Sequence, residues 1–296
     1  MSKFRKWFSS IYIHLILACV YIPLFFVVVY SFNKPTDKGF ISTTWNGKTF
    51  EHWSTFFEEG RLNALVNSLI IAGSVSVIVI TISLITVFGM WRQRNKKLNQ
   101  AIMSINNIPL INPDNITAIG LVLVFGILFG VLGSYSEGIW RGIVGQTIMA
   151  LPYGITIMLP RSEKFNGNQF EAAQDLGYGK VRSWFKTYFI YMLPSIIFAG
   201  LVAAFLSFDD FIILRTVSNT STLGTKLYEG QFKGWGLVVG AGILVFVLIG
   251  NIAYITFKSI TAKKIKNKKI IQDQNQVLTL FEEKNVNKST IRGENE

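Results

Sequence analysis

The length of its uninterrupted apolar runs constrains this chain more than any other feature. A helix rises about 1.5 Å per residue, so roughly 20 consecutive apolar residues cross the ~30 Å hydrocarbon core of a bilayer. Six runs approach or exceed that length, at 11–32, 65–90, 116–132, 142–159, 188–214 and 236–257. Half of the 296 residues are apolar, which suits a chain that meets lipid rather than water along most of its length. Backbone groups in lipid must find partners inside their own segment, so the runs are read as helices. The expected fold is an all-α integral membrane protein with six transmembrane helices, the third of which could begin earlier, near Ala101.

Charge orients these helices. A net charge of +12 first suggests a nucleic-acid partner, but its distribution argues against one. Lys3, Arg5 and Lys6 precede the first run; Arg92, Arg94, Lys96 and Lys97 follow the second. Arg161, Lys164, Lys180, Arg182 and Lys186 separate the fourth and fifth, and Lys258, Lys263, Lys264, Lys266, Lys268 and Lys269 follow the sixth. With alternating spans all four clusters fall on one side, which is the positive-inside pattern with both termini cytoplasmic. The expected organisation is a cytoplasmic N-terminus at 1–10, a six-helix membrane domain at 11–260 and a polar cytoplasmic tail at 261–296 that could anchor to anionic lipid. The first run is long and lacks a small-residue cleavage site, so an uncleaved signal-anchor helix is expected rather than a removed signal peptide.

Catalytic signals are weak. The single cysteine, Cys19, lies inside the first run, and the histidines, His14 and His52, stand far apart. No Cys/His cluster suggests a metal, no Gly-rich phosphate loop suggests bound nucleotide, and no Ser/His/Asp set has a plausible context.

Two features carry chemistry. The first is "AAFLSFDDFIIL" at 203–214, where Asp209 and Asp210 interrupt an apolar run. Each acid at the centre of a span costs about 2.5–3.5 kcal/mol on insertion scales, so a compensating partner is expected. Continuing the helix through both acids puts Asp210 on a stripe with Ser207, Ala203, Gly200 and Ala199, and Asp209 on one with Leu206, Phe205 and Val202. Small stripes face other helices or a cavity, so Asp210 is expected toward a central pathway or a partner subunit, and Asp209 toward its own bundle or the outer surface. Arg215 could neutralise Asp210 or its neighbour Asp209 as a structural ion pair. Alternatively the acids form a cation site, since an ammonium 4 Å from a carboxylate gains about 4 kcal/mol at an effective dielectric of 20. In "INPDN" (111–115), Asn112 reads as an N-cap, Pro113 as the first helical residue and Asp114 as a charge on the positive end of the dipole. A helix start amid apolar sequence also implies a broken span, and then Asp114 would line a cavity.

The second feature is the loop at about 161–187, "RSEKFNGNQFEAAQDLGYGKVRSWFKT". "NQFEAAQDL" is a helix that ends at Gly177, which is expected in a conformation a side chain would strain. "KVRSWFKTYF" suits a helix lying on the membrane surface. Together they would form a compact knob with Ala172 and Ala173 open to close approach. The outer segment "TTWNGKTFEHWSTFF" (43–57) reads as amphipathic, with Trp45 and Trp53 at headgroup level, or as a docking point for an external protein.

Glu171-Ala172-Ala173 followed by Gly177 resembles the EAA loop of the membrane subunits of bacterial ATP-binding-cassette importers. The resemblance extends to "YIPLFFVVVYSFN" (21–33), "NSLIIAGSVSVIVI" (67–80), "NPDNITAIGLVLVF" (112–125), "SFDDFII" (207–213) and "TLGTKLY" (222–228), which look like the second permease subunit of spermidine/putrescine importers. Two positions depart from that family. Phe189-Ile190 stands where Leu-Pro is common, with Leu193-Pro194 one turn later, and Gly224 stands where proline is usual. The resemblance implies the type I permease fold, polyamine transport across a bacterial cell membrane and no cofactor of the chain's own, with ATP bound by partner subunits. It implies Glu171, Ala172, Ala173 and Gly177 as the ATPase-coupling residues, and Asp210, Asp209 and Asp114 as substrate-pathway candidates. The implied partners are two cytoplasmic ATPase subunits, a second homologous permease and an external substrate-binding protein, together with membrane lipid and no nucleic acid. An importer for iron, sulfate or a similar solute is the alternative. A stand-alone secondary transporter fits the coupling loop poorly.

Overall fold

Residues 61–93 contain no proline, and every peptide group in such a segment can be satisfied inside one helix. They form α3 (Arg61–Gln93), 33 residues long. At about 1.5 Å per residue this helix outruns the hydrocarbon core, so its ends reach the interface or it tilts. The computed structural model describes residues 3–93, 95–130, 138–230 and 233–260. Before α3 come α1 (Lys3–Tyr30) and the short α2 (Glu51–Ser54). After it come α4 (Lys96–Ile111), α5 (Asp114–Phe125) with a π turn at Gly126–Gly130, and α6 (Ile139–Glu163). They are followed by α7 (Gly167–Asp175), α8 (Lys180–Trp184), a π turn at Phe185–Phe189, α9 (Ile190–Asp209), α10 (Ile212–Val217) and α11 (Leu223–Glu229). The last is α12 (Trp235–Ile260). Among the described residues the only extended pairings are two isolated bridges, Asn33 with Lys48 and Phe40 with Lys233.

Among the described residues four single helices are long and apolar enough to cross a membrane: α3, α6, the continuous Lys180–Asp209 and α12. The pair α4 and α5, bent by 105°, passes the same test as one broken span, and α1 contributes the shorter apolar stretch Leu15–Tyr30. The break has a chemical cause. Proline biases the residue before it to extended backbone and offers no N–H of its own. Asn112 accordingly takes ψ 138° and Pro113 ψ 137°. The capping register expected at this break is corrected by one residue. Asn112 closes α4, its N–H donating to the Ile108 carbonyl, and Pro113 caps α5 through its carbonyl, which accepts from Ile116 and Thr117.

The fifth expected span is corrected at both ends. It begins at Lys180, because the basic-aromatic segment 180–189 runs into α9 as one 30-residue helix instead of forming a separate surface helix. It ends at Asp209, not at 214, because Asp210 takes extended backbone with ψ 133°. Leu193-Pro194 lies inside α9. Leu132, the expected end of the third run, and the expected tail at 261–296 lie outside the described residues.

The chain divides into two units. One holds α1, residues 42–49 and α12 from Leu237 onward. There the loop after α1 is tied by the buried Asn33, whose Nδ2 donates to the Thr44 carbonyl at 2.8 Å while its Oδ1 accepts from the Asn46 N–H at 2.8 Å. The other unit runs through 36–41 and 50–236. Its frame is α3, α6 and α9, each packed on the other two. Ile71, Val75, Val79, Ala150, Ala203 and Leu214 form the centre of that frame. A second cluster at one end joins Leu84, Val87, Met158, Phe165, Tyr188 and Met192, and a third joins α5 to α10 through Ala118, Leu121, Phe125, Ile213 and Val217.

Candidate functional site

The acidic pair sits at a helix break. Because Asp210 leaves the helical path, its carboxylate turns forward onto the next helix. Its Oδ2 accepts from the backbone N–H groups of Ile213 at 3.1 Å and Leu214 at 3.3 Å, the first free donors of α10. The same oxygen accepts from Nε2 of Gln146, a buried side chain on α6. A carboxylate on the exposed donors of a helix start satisfies them and complements the positive end of the dipole. The fit depends on small residues. A Cβ on Gly142 would meet Leu214 Cδ2 at 2.7 Å, and one on Gly145 would meet Ile213 Cγ2 at 3.0 Å. These two glycines let α10 settle on α6 with Gln146 in reach of Asp210.

A second close approach fixes the other side of the break. A Cβ on Gly224 would stand 2.7 Å from the Asp210 carbonyl oxygen and 2.9 Å from that of Asp209. The backbone of α11 thus rests directly on the end of α9. The α11 terminus is held by a Thr222/Thr225 capping box and by the Leu223 N–H, which donates to Ser68 Oγ on α3 at 2.8 Å. Between α9, α10 and α11 lies a cavity of about 490 Å³ whose lining includes Asp209, Asp210, Phe211, Gly224 and Tyr228. Phe211 and Tyr228 stack there at 4.4 Å with planes 13° apart. Asp209 is exposed, and among the described residues its carboxylate has no hydrogen-bond partner.

Asp210 leaves the helical stripe expected of it: its Oδ2 is engaged inside its own unit, and Asp209 is the open carboxylate. As expected of small residues, the stripe of Ser207, Ala203, Gly200 and Ala199 faces another helix: it is buried against α3, where Ser76 Oγ donates to the Gly200 carbonyl at 2.9 Å. The bulky stripe of Leu206 and Phe205 is the exposed one. Arg215 does not pair with Asp210; its guanidinium stands 5.1 Å from the centroid of Tyr228. Asp114 is exposed at the start of α5, the helix that packs on α10 through Ala118, Leu121 and Ile213.

The loop residues form a knob of two helices. Glu171 and Ala172 are exposed on α7, while Ala173 is 7% exposed and faces inward. Of the alanine pair, only Ala172 is open to a partner. Gly177 has φ +85°, the left-handed conformation expected of it, and a Cβ there would meet nothing within 4 Å, so backbone geometry alone selects glycine. The α7 end carries both bonds of a Schellman cap: Gly177 N–H donates to the Gln174 carbonyl at 2.8 Å and Tyr178 N–H to the Ala173 carbonyl at 3.2 Å. Aromatic packing ties the knob to α3. Phe88 meets Phe170, Trp184 and Tyr188, and Trp91 meets Phe165. Tyr188, fully buried, shares a 2.7 Å hydrogen bond with Ser162, whose Oγ also lies 3.0 Å from the Val87 carbonyl.

Gln146, Gly142, Gly145 and Ser68 were not singled out in the sequence. "GIVGQ" inside an apolar run holds two small residues and one amide at helical spacing, which is the pattern that could have marked a polar contact between helices.

No family model matches the chain. It is 30% identical over 276 residues to the spermidine/putrescine transport system permease protein PotC homolog of Mycoplasma genitalium, covering 90% of this chain and 95% of that protein. It is 31% identical over 283 residues to the protein of the same name in Mycoplasma pneumoniae, covering 90% and 97%. It is also 26% identical over 252 residues to the putrescine transport system permease protein PotI of Escherichia coli, covering 80% and 84%.

Proposed function

The chain belongs to the family of spermidine/putrescine transport system permeases, and from that premise we propose that it is the membrane subunit of an ATP-driven polyamine importer. The single observation that carries the reading is the likeness, across nine-tenths of the chain, to permeases named for these two solutes. The chain is a multi-pass membrane protein and a transport component rather than an enzyme. ATP hydrolysis is assigned to a partner.

In this reading six spans cross the membrane with both termini inside, as the four basic clusters suggest. The chain pairs with a second, homologous permease, two cytoplasmic ATPase subunits and an external binding protein. Glu171, Ala172 and the turn at Gly177 dock on an ATPase, with Ala173 as the packed side of the same helix. The firm ties from α7 and α8 to α3 support this role, since movement of the knob is passed to a 33-residue helix instead of being absorbed in a loose loop. Membrane lipid surrounds the spans.

Asp209, Asp210 and Asp114 serve a cationic solute in different ways. Asp209 offers its open carboxylate to an ammonium, at the negative end of the Lys180–Asp209 helix. The stacked Phe211 and Tyr228 add apolar surface suited to methylene chains, with Arg215 already over the Tyr228 ring. Asp210 holds the break in shape, and Asp114 adds negative potential beside it. An importer for an anion such as sulfate would share the scaffold but gain nothing from an open carboxylate.

The test is uptake of labelled spermidine and putrescine by vesicles that carry the complete complex with ATP on the ATPase side. Saturable, ATP-dependent uptake of either amine is expected. A complex that hydrolyses ATP in response to iron or sulfate but to neither amine contradicts the assignment.

A further inference from the structure

A groove runs along the outside of α3 where it faces the start of the Lys180–Asp209 helix. It is about 740 Å³ in volume. One wall carries Ile80, Ile85 and Phe88 from α3, and the other carries Phe185 and Phe189. Ile85 and Phe185 are largely exposed. Two cations close one end of this apolar slot, Arg92 at the end of α3 and Lys180 at the start of α8. Neither makes an ion pair or hydrogen bond with another described residue. Glu171 lines the adjoining cavity together with Arg92 but forms no ion pair with it.

The dimensions match one class of molecule. From Ile80 to Arg92 is twelve residues of helix, about 18 Å. That is close to the depth of a single leaflet, half of a hydrocarbon core about 30 Å thick. A slot that is apolar for a leaflet's depth and doubly cationic where the leaflet ends fits an acyl chain below an anionic headgroup. A transmembrane helix from a neighbouring subunit could fill the apolar part, but it would leave the two cations without a counter-charge.

We propose that this groove binds an anionic phospholipid, with a chain between α3 and the 185–189 turn and the phosphate between Arg92 and Lys180. Phe170 of α7 lines the same groove and is the neighbour of Glu171. The lipid therefore touches the knob, and its presence stiffens the knob against α3. The site does not depend on which solute the complex carries.

The test is native mass spectrometry of the complete complex, stripped of lipid and then offered phosphatidylglycerol and phosphatidylcholine with identical chains. Phosphatidylglycerol is expected to be retained at least about fivefold over phosphatidylcholine, and Arg92→Gln with Lys180→Gln is expected to bring the ratio close to one. Both side chains are exposed, so the double variant keeps its fold. Equal retention by the unaltered complex overturns the proposal, as does a preference that survives the double substitution. A photoreactive benzoylphenylalanine at position 185 identifies the occupant directly. A phospholipid adduct is the expected product, whereas a cross-link to another polypeptide in the membrane overturns the lipid assignment.

Discussion

Gln146 on α6 donates its side-chain amide to the carboxylate of Asp210, joining residues 64 positions apart across the helix break. The bond places a neutral donor against an acid that already serves the start of α10. Gln146→Leu removes the donor while keeping the volume. Losing a hydrogen bond to a charged group costs about 1.5–3 kcal/mol. The thermal midpoint of the detergent-solubilised complex should fall accordingly. Gln146→Glu sets a second carboxylate against Asp210 and should cost more than Gln146→Leu. Equal midpoints for all three proteins would show that the contact contributes nothing to the fold.

Gly224 should not tolerate a methyl group. The added Cβ would press on two backbone carbonyls, which cannot swing aside as a side chain can. Gly224→Ala should therefore shift α11 away from the end of α9 and reduce uptake, with insertion retained. Gly89→Ala is the matched control, because a Cβ there meets nothing within 4 Å and the site is helical. It should be neutral or stabilising by about 0.5–1 kcal/mol. Uptake and thermal midpoint of the two variants, measured side by side, decide the matter.

Gly177 and Gly179 make a similar pair at the knob. Gly177→Ala forces an L side chain into the left-handed region, at about 1–2 kcal/mol. Gly179 has φ −64° and open space around it, so Gly179→Ala should be nearly silent. Only the first should lower substrate-stimulated ATP hydrolysis in the assembled complex. Glu171→Lys should lower it too, by reversing charge at an exposed position without touching the packing.

Tyr188→Phe tests how the knob is anchored. The ring packing survives, but the bond to Ser162 is lost from a fully buried site. A cost of about 1–3 kcal/mol is expected, read as a lower thermal midpoint. Because Tyr188 joins the segment before α9 to α6, proteolysis at the exposed α7 should also become faster. A midpoint and cleavage rate equal to those of the unaltered protein would contradict this anchoring role.

What was legible in the sequence was local. Apolar length located the long helices, because lipid permits few other solutions for such runs. Gly177 was readable because a helix ending at glycine has few other geometries. The Asn112-Pro113 break was readable from proline chemistry, although its register was off by one residue. The acids were misplaced for a specific reason. Assigning faces at 100° per residue assumes an unbroken helix, and Asp210 breaks it, so the open charge belongs to Asp209. No local pattern signals that break, since "SFDDF" contains neither glycine nor proline. What stabilises it is remote: Gln146, the glycines beside it, and Gly224. The same limit hid the continuity of 180–209, where a basic start reads as a surface helix although the backbone runs straight into the span.

In the proposed roles Asp209 presents the charge a polyamine meets, while Asp210 holds the site in shape. Spermidine uptake by vesicles carrying the complete complex, compared between the unaltered protein and Asp209→Asn, separates these roles, with assembly and thermal midpoint checked on the same samples. The account expects uptake at limiting spermidine to fall by about tenfold or more, the factor that corresponds to ~1.4 kcal/mol, with assembly and midpoint unchanged. Asp210→Asn, which can still cap α10, should lose less uptake, and Asp210→Ala should lose stability first. Unchanged uptake by Asp209→Asn in a fully assembled complex would contradict the account.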